Sequence, residues 1–517
     1  MPVIVSPKIF RAACHGMVRS LIVWLMACLL VVVLAFFYRD RIGTELRSGP
    51  VSGESSKPGY PSQVYYGPAN SIAVLAFEDG GPTGNSSSES FLAAGFSDSL
   101  IRRLVRNPKL QVTSARSSLY FQGAQVELPV LAERLRVSHI LEGSFREMEN
   151  SLQFTARLVR MNPNKELWSD TFITTKSELQ LLRDQLSTAV AGAMSRAPGP
   201  GPVEKELNPD AWLLLLEGRH FLRQRGLESL YRAEAAFTRS KELDPGSSEA
   251  WLGLAELYLD PVWPGSGFDP GHEQAREAAL TALELNPDLA GAHVVLSKIM
   301  RNFDWDWRGA REASRLALDL EPGNADVLST ASDIEFTFGN FEKAVELQEA
   351  AISRDPVLLP HLLGLGLLYE FSGDYDNSLI AYRRLLGLNP DYPAVRAFRA
   401  RVKIAQDKPG SALREAEQET DPFWKRYART LALIALERFD EADALLEQMI
   451  DENAGEAAFQ IAEILAYRGD VDLAFEWLDR AREQRDGGMS ELIGNQFLAV
   501  LEGDERWNRL MVLMGLQ

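Results

Sequence analysis

A proline step recurs through the second half of this chain, and its spacing constrains the fold more than any other feature. The step reads Leu243-Asp244-Pro245, Leu285-Asn286-Pro287, Leu320-Glu321-Pro322, Arg354-Asp355-Pro356, Leu388-Asn389-Pro390 and Thr420-Asp421-Pro422. Successive prolines lie 42, 35, 34, 34 and 32 residues apart. Each follows a helical pattern, and proline cannot continue a helix. A unit of about 34 residues is a pair of helices that cannot bury its apolar side alone. Stacking on neighbouring pairs is the physical solution, so the period predicts an all-α solenoid over residues 210–517.

The period is similar to that of the tetratricopeptide repeat. The clearest unit runs through Leu365-Gly366-Leu367-Leu368-Tyr369, Gly373-Asp374-Tyr375, Tyr382 and Pro390. Gly366 allows close packing of the two helices, Gly373 ends the first in a left-handed cap, and Tyr375 fills the space between them. The same grid places Ala233 and Phe237, then Ala275 and Ala279, Ala310 and Ala317, and Ala344 and Ala351. Residues 260–271 read as an inserted loop. Later units are marked by Ala412, by Phe439 and Ala442, and by Gly469, Ala474 and Ala481. Trp305-Asp306-Trp307 opens a second helix with aromatics packed between helices. Phe497 to Leu516 is expected to cap the stack.

The 517 residues exceed a single core. Residues 1–69 carry seven Lys/Arg against three Asp/Glu, residues 70–196 fourteen against thirteen, and residues 197–517 thirty-three against fifty-six. The acidity sits in the repeats, which argues against a phosphate-binding surface there, and no basic block suits nucleic acid. Cys14 and Cys28 are the two cysteines; both lie in the amino-terminal stretch.

Residues 21–38, LIVWLMACLLVVVLAFFY, carry no charge. Eighteen helical residues span about 27 Å, close to the ~30 Å hydrocarbon core of a bilayer. Trp24 and Tyr38 suit the interfaces, so the expectation is one transmembrane helix after a tail of residues 1–20. Basic residues on the two sides tie, leaving orientation open. Residues 39–69 are rich in Gly, Ser and Pro and read as a flexible linker.

From Ser71 the pattern changes. Ile72 to Phe77 reads as a strand, Gly80 to Ser90 as a loop, and Phe91 to Leu104 as a helix. Leu110–Thr113 reads as a strand, Leu128–Leu135 as a helix, then strands at His139–Phe145, Leu152–Val159 and Leu167–Ile173, and a closing helix at Leu179–Met194. Residues 70–196 are thus expected to form a small α/β domain. Residues 197–209 begin Ala-Pro-Gly-Pro-Gly-Pro and form a linker. Ser71 to Phe77, Ala94-Gly95-Phe96-Ser97-Asp98-Ser99-Leu100, Leu141-Glu142-Gly143-Ser144-Phe145 and Leu167-Trp168-Ser169 resemble the TolB-like amino-terminal domain of bacterial regulators and cyclase-associated proteins. The resemblance implies an interaction or sensing module followed by tetratricopeptide repeats. The winged-helix or cyclase domain that such relatives place ahead of the membrane span has no counterpart in the twenty residues there.

No motif carries catalysis. His15, His139, His220, His272, His293 and His361 lack metal-ligand spacing. Gly95-Phe96-Ser97-Asp98-Ser99 lacks the second glycine of a nucleophile elbow, and no Gly-rich phosphate loop occurs. The expectation is a non-enzyme without cofactor or metal. Counting along the repeat grid, inward-facing positions of the first helices are Glu249, Glu256, Asp333, Phe336, Glu370, Phe371, Trp424, Tyr427, Phe459, Glu463 and Tyr467. They predict an acidic groove with aromatic anchors for a partner's basic or amphipathic segment: carboxylates steer and rings bury. The alternative is that the aromatics pack between units while the acids face water. Charge reversal at Asp333, Glu370 and Glu463 is expected to abolish partner capture. The whole reads as a mixed fold: one transmembrane helix, an α/β domain and a helical solenoid. It is expected to serve as a scaffold at the bacterial inner membrane, with its soluble part in the periplasm on the strength of the resemblance and the absence of cysteines there. The other reading is a sensor signalling to a separate regulator of transcription or cyclic-nucleotide synthesis.

Overall fold

The computed structural model describes residues 66–79, 87–122, 126–148, 151–195, 207–224, 226–259 and 271–516. The amino-terminal tail, the apolar run 21–38, most of the following linker, both cysteines, the loop 80–86, the Pro/Gly stretch 197–206 and most of the inserted loop lie outside the described residues. The fold class is corrected on one point. No helix among the described residues is long and apolar enough to cross a membrane. The longest of those described, Ser87–Val105 at 19 residues, has Arg102 and Arg103 in its last turn. The fold is a mostly helical repeat solenoid with a small α/β region.

The α/β region runs β1 (Ser71–Val74), β2 (Glu78–Asp79), α1 (Ser87–Val105), β3 (Gln111–Val112), α2 (Ala115–Tyr120), α3 (Leu128–Leu135), β4 (His139–Met148), β5 (Ser151–Met161), β6 (Asn164–Thr174) and α4 (Leu179–Ser195). The sheet order is β3-β1-β4-β5-β6, with β2 also paired to β4. β1 is parallel to β3 and β4, while β4, β5 and β6 form an antiparallel meander. Alternation along β1 decides its two faces. Ile72 and Val74 join Phe96, Leu141, Phe145, Phe154 and Leu186 in one core. Ala73 joins Leu131, Leu135, Ile140 and Val159 in a second. Phe77, Phe96 and Phe154 meet with centroids 4.8–6.0 Å apart. The Ser97 hydroxyl fixes α1 to the sheet: it accepts from Phe77 N at 3.0 Å and donates to Ala93 O at 2.9 Å.

Eight helical hairpins follow among the described residues: α5 (Pro209–Gln224) with α6 (Leu227–Leu243), α7 (Ser248–Leu259) with α8 (Gly271–Leu285), α9 (Ala290–Ile299) with α10 (Trp307–Leu320), α11 (Ala325–Thr337) with α12 (Phe341–Arg354), α13 (Leu359–Phe371) with α14 (Tyr375–Leu388), α15 (Val395–Ala405) with α16 (Pro409–Glu417), α17 (Pro422–Ala435) with α18 (Phe439–Asn453), and α19 (Ala458–Arg468) with α20 (Val471–Gln484). Short 3-10 turns at Gly487–Glu491 and Ala499–Leu501 and a last helix, α21 (Glu505–Leu513), complete the chain. The repeat chemistry is visible in the packing. Gly218 and Gly253 flank Phe237, and a side-chain carbon at either would sit 2.5 Å from its ring. Gly366 faces Tyr382 in the same way. A serine hydroxyl clips helix to helix in four units: Ser240 to Ala211 O, Ser297 to Ala310 O, Ser332 to Ala344 O and Ser378 to Gly366 O, at 2.7–2.8 Å. First helices also pack on first helices of neighbouring units over hairpins one to four and five to eight, and Phe336 of α11 meets Phe371 of α13 between those runs.

The α/β region and the array share a core. α1 packs along α5, and a Cβ at Gly95 would lie 2.8 Å from that of Leu216. Trp212, Leu215, Leu216 and Phe237 belong to the same apolar cluster as Phe96 and Leu100.

Candidate protein-binding face

The first helices form the inner side of the array, and the chain itself covers much of it. Asp98 and Arg102 lie four apart on α1, with Arg106 just past its end, so they share one stripe. Asp98 is buried between Arg102 at 3.4 Å and Arg223 at 3.3 Å. Burial pushes its carboxyl up, but Arg223, Arg102 and Arg219 outweigh this and hold it below its ordinary value. Arg102 lies 3.8 Å from Glu256, and Arg106 lies 3.5 Å from Glu249 and 3.6 Å from Glu321. Glu249 also pairs with Arg219. Burial raises the Glu249 carboxyl, yet its two arginine partners leave it below the ordinary range; for Glu256 burial prevails over Arg102.

The start of α2 reaches further along the array. Ser114 N donates to Arg354 O at 2.8 Å, and the Ser117 hydroxyl donates to Asp355 Oδ1 at 2.5 Å. Gln111 Nε2 donates to Ser353 O at 3.3 Å. Burial pushes the Asp355 carboxyl up to about 6. Nearby, burial drives His361 down to about 4. Asp326 is also raised by burial, but Arg116, Lys298 and His361 more than offset this and take it to about 2.

The other half of the inner face centres on Arg401 of α15, only 2 % exposed. Its Nε donates to Glu370 Oε1 at 2.8 Å, and its Nη1 donates to Tyr427 OH at 3.0 Å and Glu463 Oε1 at 3.1 Å. Tyr427 OH donates to Glu463 Oε2 at 2.8 Å. The guanidinium lies 4.9 Å from the Phe497 ring centre and 5.7 Å from that of Phe398. Residues 486–498 cross this half. Asn495 Nδ2 donates to Glu463 Oε1 at 2.8 Å, Gln496 Nε2 reaches Glu370 Oε1 at 3.4 Å, and Phe497 meets Tyr467 edge-on at 5.1 Å. Arg301 Nη2 donates to the Ser490 hydroxyl at 3.2 Å. Beyond them, the Trp307 indole N–H donates to Met514 O, and Arg485 donates to the carbonyls of Phe303 and Asp304. The aromatic Trp305-Asp306-Trp307 step is therefore the seat of the chain's end as well as a helix start, with Asp306 capping α10.

The expected groove residues separate into three groups. Asp333 is exposed, though the surrounding wall desolvates it and raises its carboxyl. Glu249, Glu256, Phe371, Trp424 and Tyr467 are half-buried. Phe336, Glu370, Tyr427, Phe459 and Glu463 are buried. The open acidic groove is corrected accordingly. Glu249 and Glu256 face arginines of α1, while Glu370 and Glu463 face Arg401, so none of the four is a free carboxylate. Phe336 packs on Phe341 and Phe371, with centroids 5.9 and 4.8 Å away. Trp424 sits between units against Phe398, Phe423 and Tyr427. Arg401, Asn495, Gln496 and the α1 arginines escaped the sequence reading. A repeat grid assigns positions within a unit and carries no signal for what folds back over them. A cavity of about 70 Å³ is bounded by Glu370, Phe371, Gly373, Tyr375, Arg401, Gly494 and Gln496. That holds one or two waters, far below the ~300–1,000 Å³ of a small-molecule site.

Comparison with known proteins agrees with this architecture. Tetratricopeptide repeat models match residues 362–392 and 427–488. The chain is 25% identical over 236 residues to a Rhizobium meliloti (strain 1021) protein named "Putative adenylate cyclase 3", covering 44% of this chain and 39% of that protein. It is 26% identical over 135 residues to anaphase-promoting complex subunit 7 of Dictyostelium discoideum, covering 26% of this chain and 23% of that one. This chain thus spans well under half the length of these curated relatives. Among solved structures, Pseudomonas aeruginosa PilF aligns at 20% identity over 43% of this chain and 98% of its own, with a TM-score of 0.33. PilW, a type IV pilus biogenesis factor, aligns at 18% identity over 42% and 98%, with a TM-score of 0.35. The chain carries tetratricopeptide repeats, an architecture that implies a protein-interaction scaffold.

Proposed function

We propose that the inner face of the array takes an amphipathic or basic segment of a partner protein, and that the α/β region is part of the scaffold's wall. One observation carries this reading: the inner face already holds polypeptide along its length. α1 lays Arg102 and Arg106 against Glu249, Glu256 and Glu321. Residues 486–498 lie against Glu370, Arg401, Glu463 and Tyr467. On this face the exposed Asp333 attracts cations, and the half-buried rings of Trp424 and Tyr467 give apolar side chains a place to bury. The likeness of residues 71–77 and 94–100 to TolB-like domains supports a binding role for the α/β region as well. The match to a protein named as an adenylate cyclase supports a narrower form of this reading, in which the partner held is itself a cyclic-nucleotide signalling protein.

The test is site-specific photo-crosslinking in cells. A benzophenone amino acid replaces Asp333 or Tyr467 on the inner face, or Ile380 on α14, which is 55 % exposed. Partner adducts at 333 and 467 but not at 380 are expected. Adducts at 380 with none at the two inner positions would end the proposal.

A further inference from the structure

We propose that residues 486–498 are a built-in occupant of the Arg401 groove, seated where a partner's extended segment goes, and that the partner gains the groove by displacing them. This rests on the reading of the inner face as the docking surface.

The segment is bound as a foreign peptide would be. From Leu492 to Leu498 it forms neither helix nor strand, so side-chain contacts hold it in place of a backbone ladder. Those contacts go to first helices, to the turns after them and to the start of α12. A Cβ built on Gly339, in the turn after α11, would lie 3.7 Å from the Ile493 Cβ and 2.6 Å from its Cγ2. A Cβ at Gly494 would come within 2.6 Å of the Phe341 ring. Gly494 has φ 74°, so the chain turns there in a conformation that favours glycine. Gly488 packs on Phe459, a first-helix residue of the last hairpin. Asn495 and Phe497 are buried against Glu463 and Arg401. The recognised features are a β-branched residue, a glycine, a carboxamide and an aromatic ring, in that order.

Two features leave room for a better-matched occupant. Glu370 Oε2 and Arg401 Nη2 are buried with no hydrogen-bond partner in the protein itself, and both residues line the 70 Å³ cavity beside Gly494 and Gln496, which has room for water. A competing segment that offers a donor to Glu370 and an acceptor to Arg401 pairs both atoms directly. The groove also holds a surplus of acid. Glu370, Glu463 and Glu491 surround the single Arg401, with Arg301 at the edge. Burial pushes Glu491 up to about 7, with Glu463 and Glu370 adding to the rise and Arg401 and Arg301 opposing it. A carboxyl raised on docking favours the docked form below its ordinary value of 4.5 and loses that contribution as pH passes 7. The segment therefore grips less well on the alkaline side of neutrality.

The experiment locks the segment in place. In the full chain, with Cys14 and Cys28 changed to serine, Gly339→Cys and Ile493→Cys place two thiols within disulfide reach. Gly339 has φ 74°, so the reduced form of the same protein is the reference. The probe is a fluorescein-labelled synthetic peptide of residues 486–501, read by anisotropy. The reduced chain is expected to bind it at least tenfold more tightly than the oxidised chain, with binding restored on reduction. A chain carrying Asn495→Ala and Phe497→Ala, which weakens its own segment, is expected to bind at least tenfold more tightly than the parent. Equal binding by oxidised and reduced forms, or no binding by the weakened chain, overturns the proposal. Adducts at position 333 that appear equally in locked and unlocked chains would remove this inference and leave the scaffold reading intact.

Discussion

At the scale of single residues, Arg401 has the most to lose. It lies on the apolar side of α15 with its charge divided between Glu370 and Glu463, which are 4 % and 1 % exposed. Arg401→Met strands two buried carboxylates, and removal of one partner from a buried ion pair costs about 3–5 kcal/mol. Arg401→Lys is expected to fall in between, because an ammonium lacks the planar fork. Burial raises Glu370, so this stranded carboxyl protonates more readily and the deficit should shrink from pH 7 to pH 5. Denaturant midpoints at both pH values check this; an equal loss at each would contradict it. Asp355 gives a second pH dependence. Its carboxyl stands at about 6 against an ordinary 3.8, so its contribution favours folding below 3.8 and disappears as pH rises through 6. Asp355→Asn keeps an acceptor for Ser117 and never ionises. It is expected to stabilise the protein at pH 8 by on the order of 3 kcal/mol and to have little effect at pH 4, as read from melting temperatures.

At the scale of elements, α1 does two jobs. Its Phe96 and Leu100 side completes the core of the sheet, while Gly95 and the Asp98–Arg102 stripe meet the array. Gly95→Ala forces α1 off α5, since the new Cβ would fall 2.8 Å from that of Leu216. Overpacking of this kind costs about 1–3 kcal/mol. The expected sign is a lower melting temperature with faster amide exchange in α1 and α5; unchanged exchange in α5 would show that the helices do not press on each other. The strands and helices of the α/β region were legible because the apolar run from Ile72 and the three- and four-residue spacing of Phe91 to Leu104 are local. α2 was not. Its six residues are too few to show a period, and Ser114 and Ser117 take their partners from Arg354 and Asp355, more than 230 residues away.

At the scale of the molecule, one apolar cluster runs from Ile72 in the sheet through Trp212 and Phe237 to Ile299 in the third hairpin. The sheet and the first three hairpins are therefore expected to unfold together, in a single calorimetric transition. Arg102→Glu with Arg106→Glu puts like charges against Glu249, Glu256 and Glu321 and should separate that transition into two. One unsplit peak in the double variant would mean that the apolar contact alone couples the parts. The far end is tied back in turn, with Trp307 bonded to Met514 and Arg485 to Phe303 and Asp304.

By itself the sequence determined that helices pair, where they turn, and that the pairs stack, because the proline steps and the small residues at Gly218, Gly253 and Gly366 act within a unit or against its neighbour. Tertiary structure alone decided what lies against the first helices. Glu249 and Glu370 both lie on first helices, yet one meets α1 and the other meets Arg401 and the carboxyl-terminal segment. Part of each pairing comes from a neighbouring unit, 30 or 31 residues away, and part from chain 126 or 143 residues away; a local period holds no information about that longer approach.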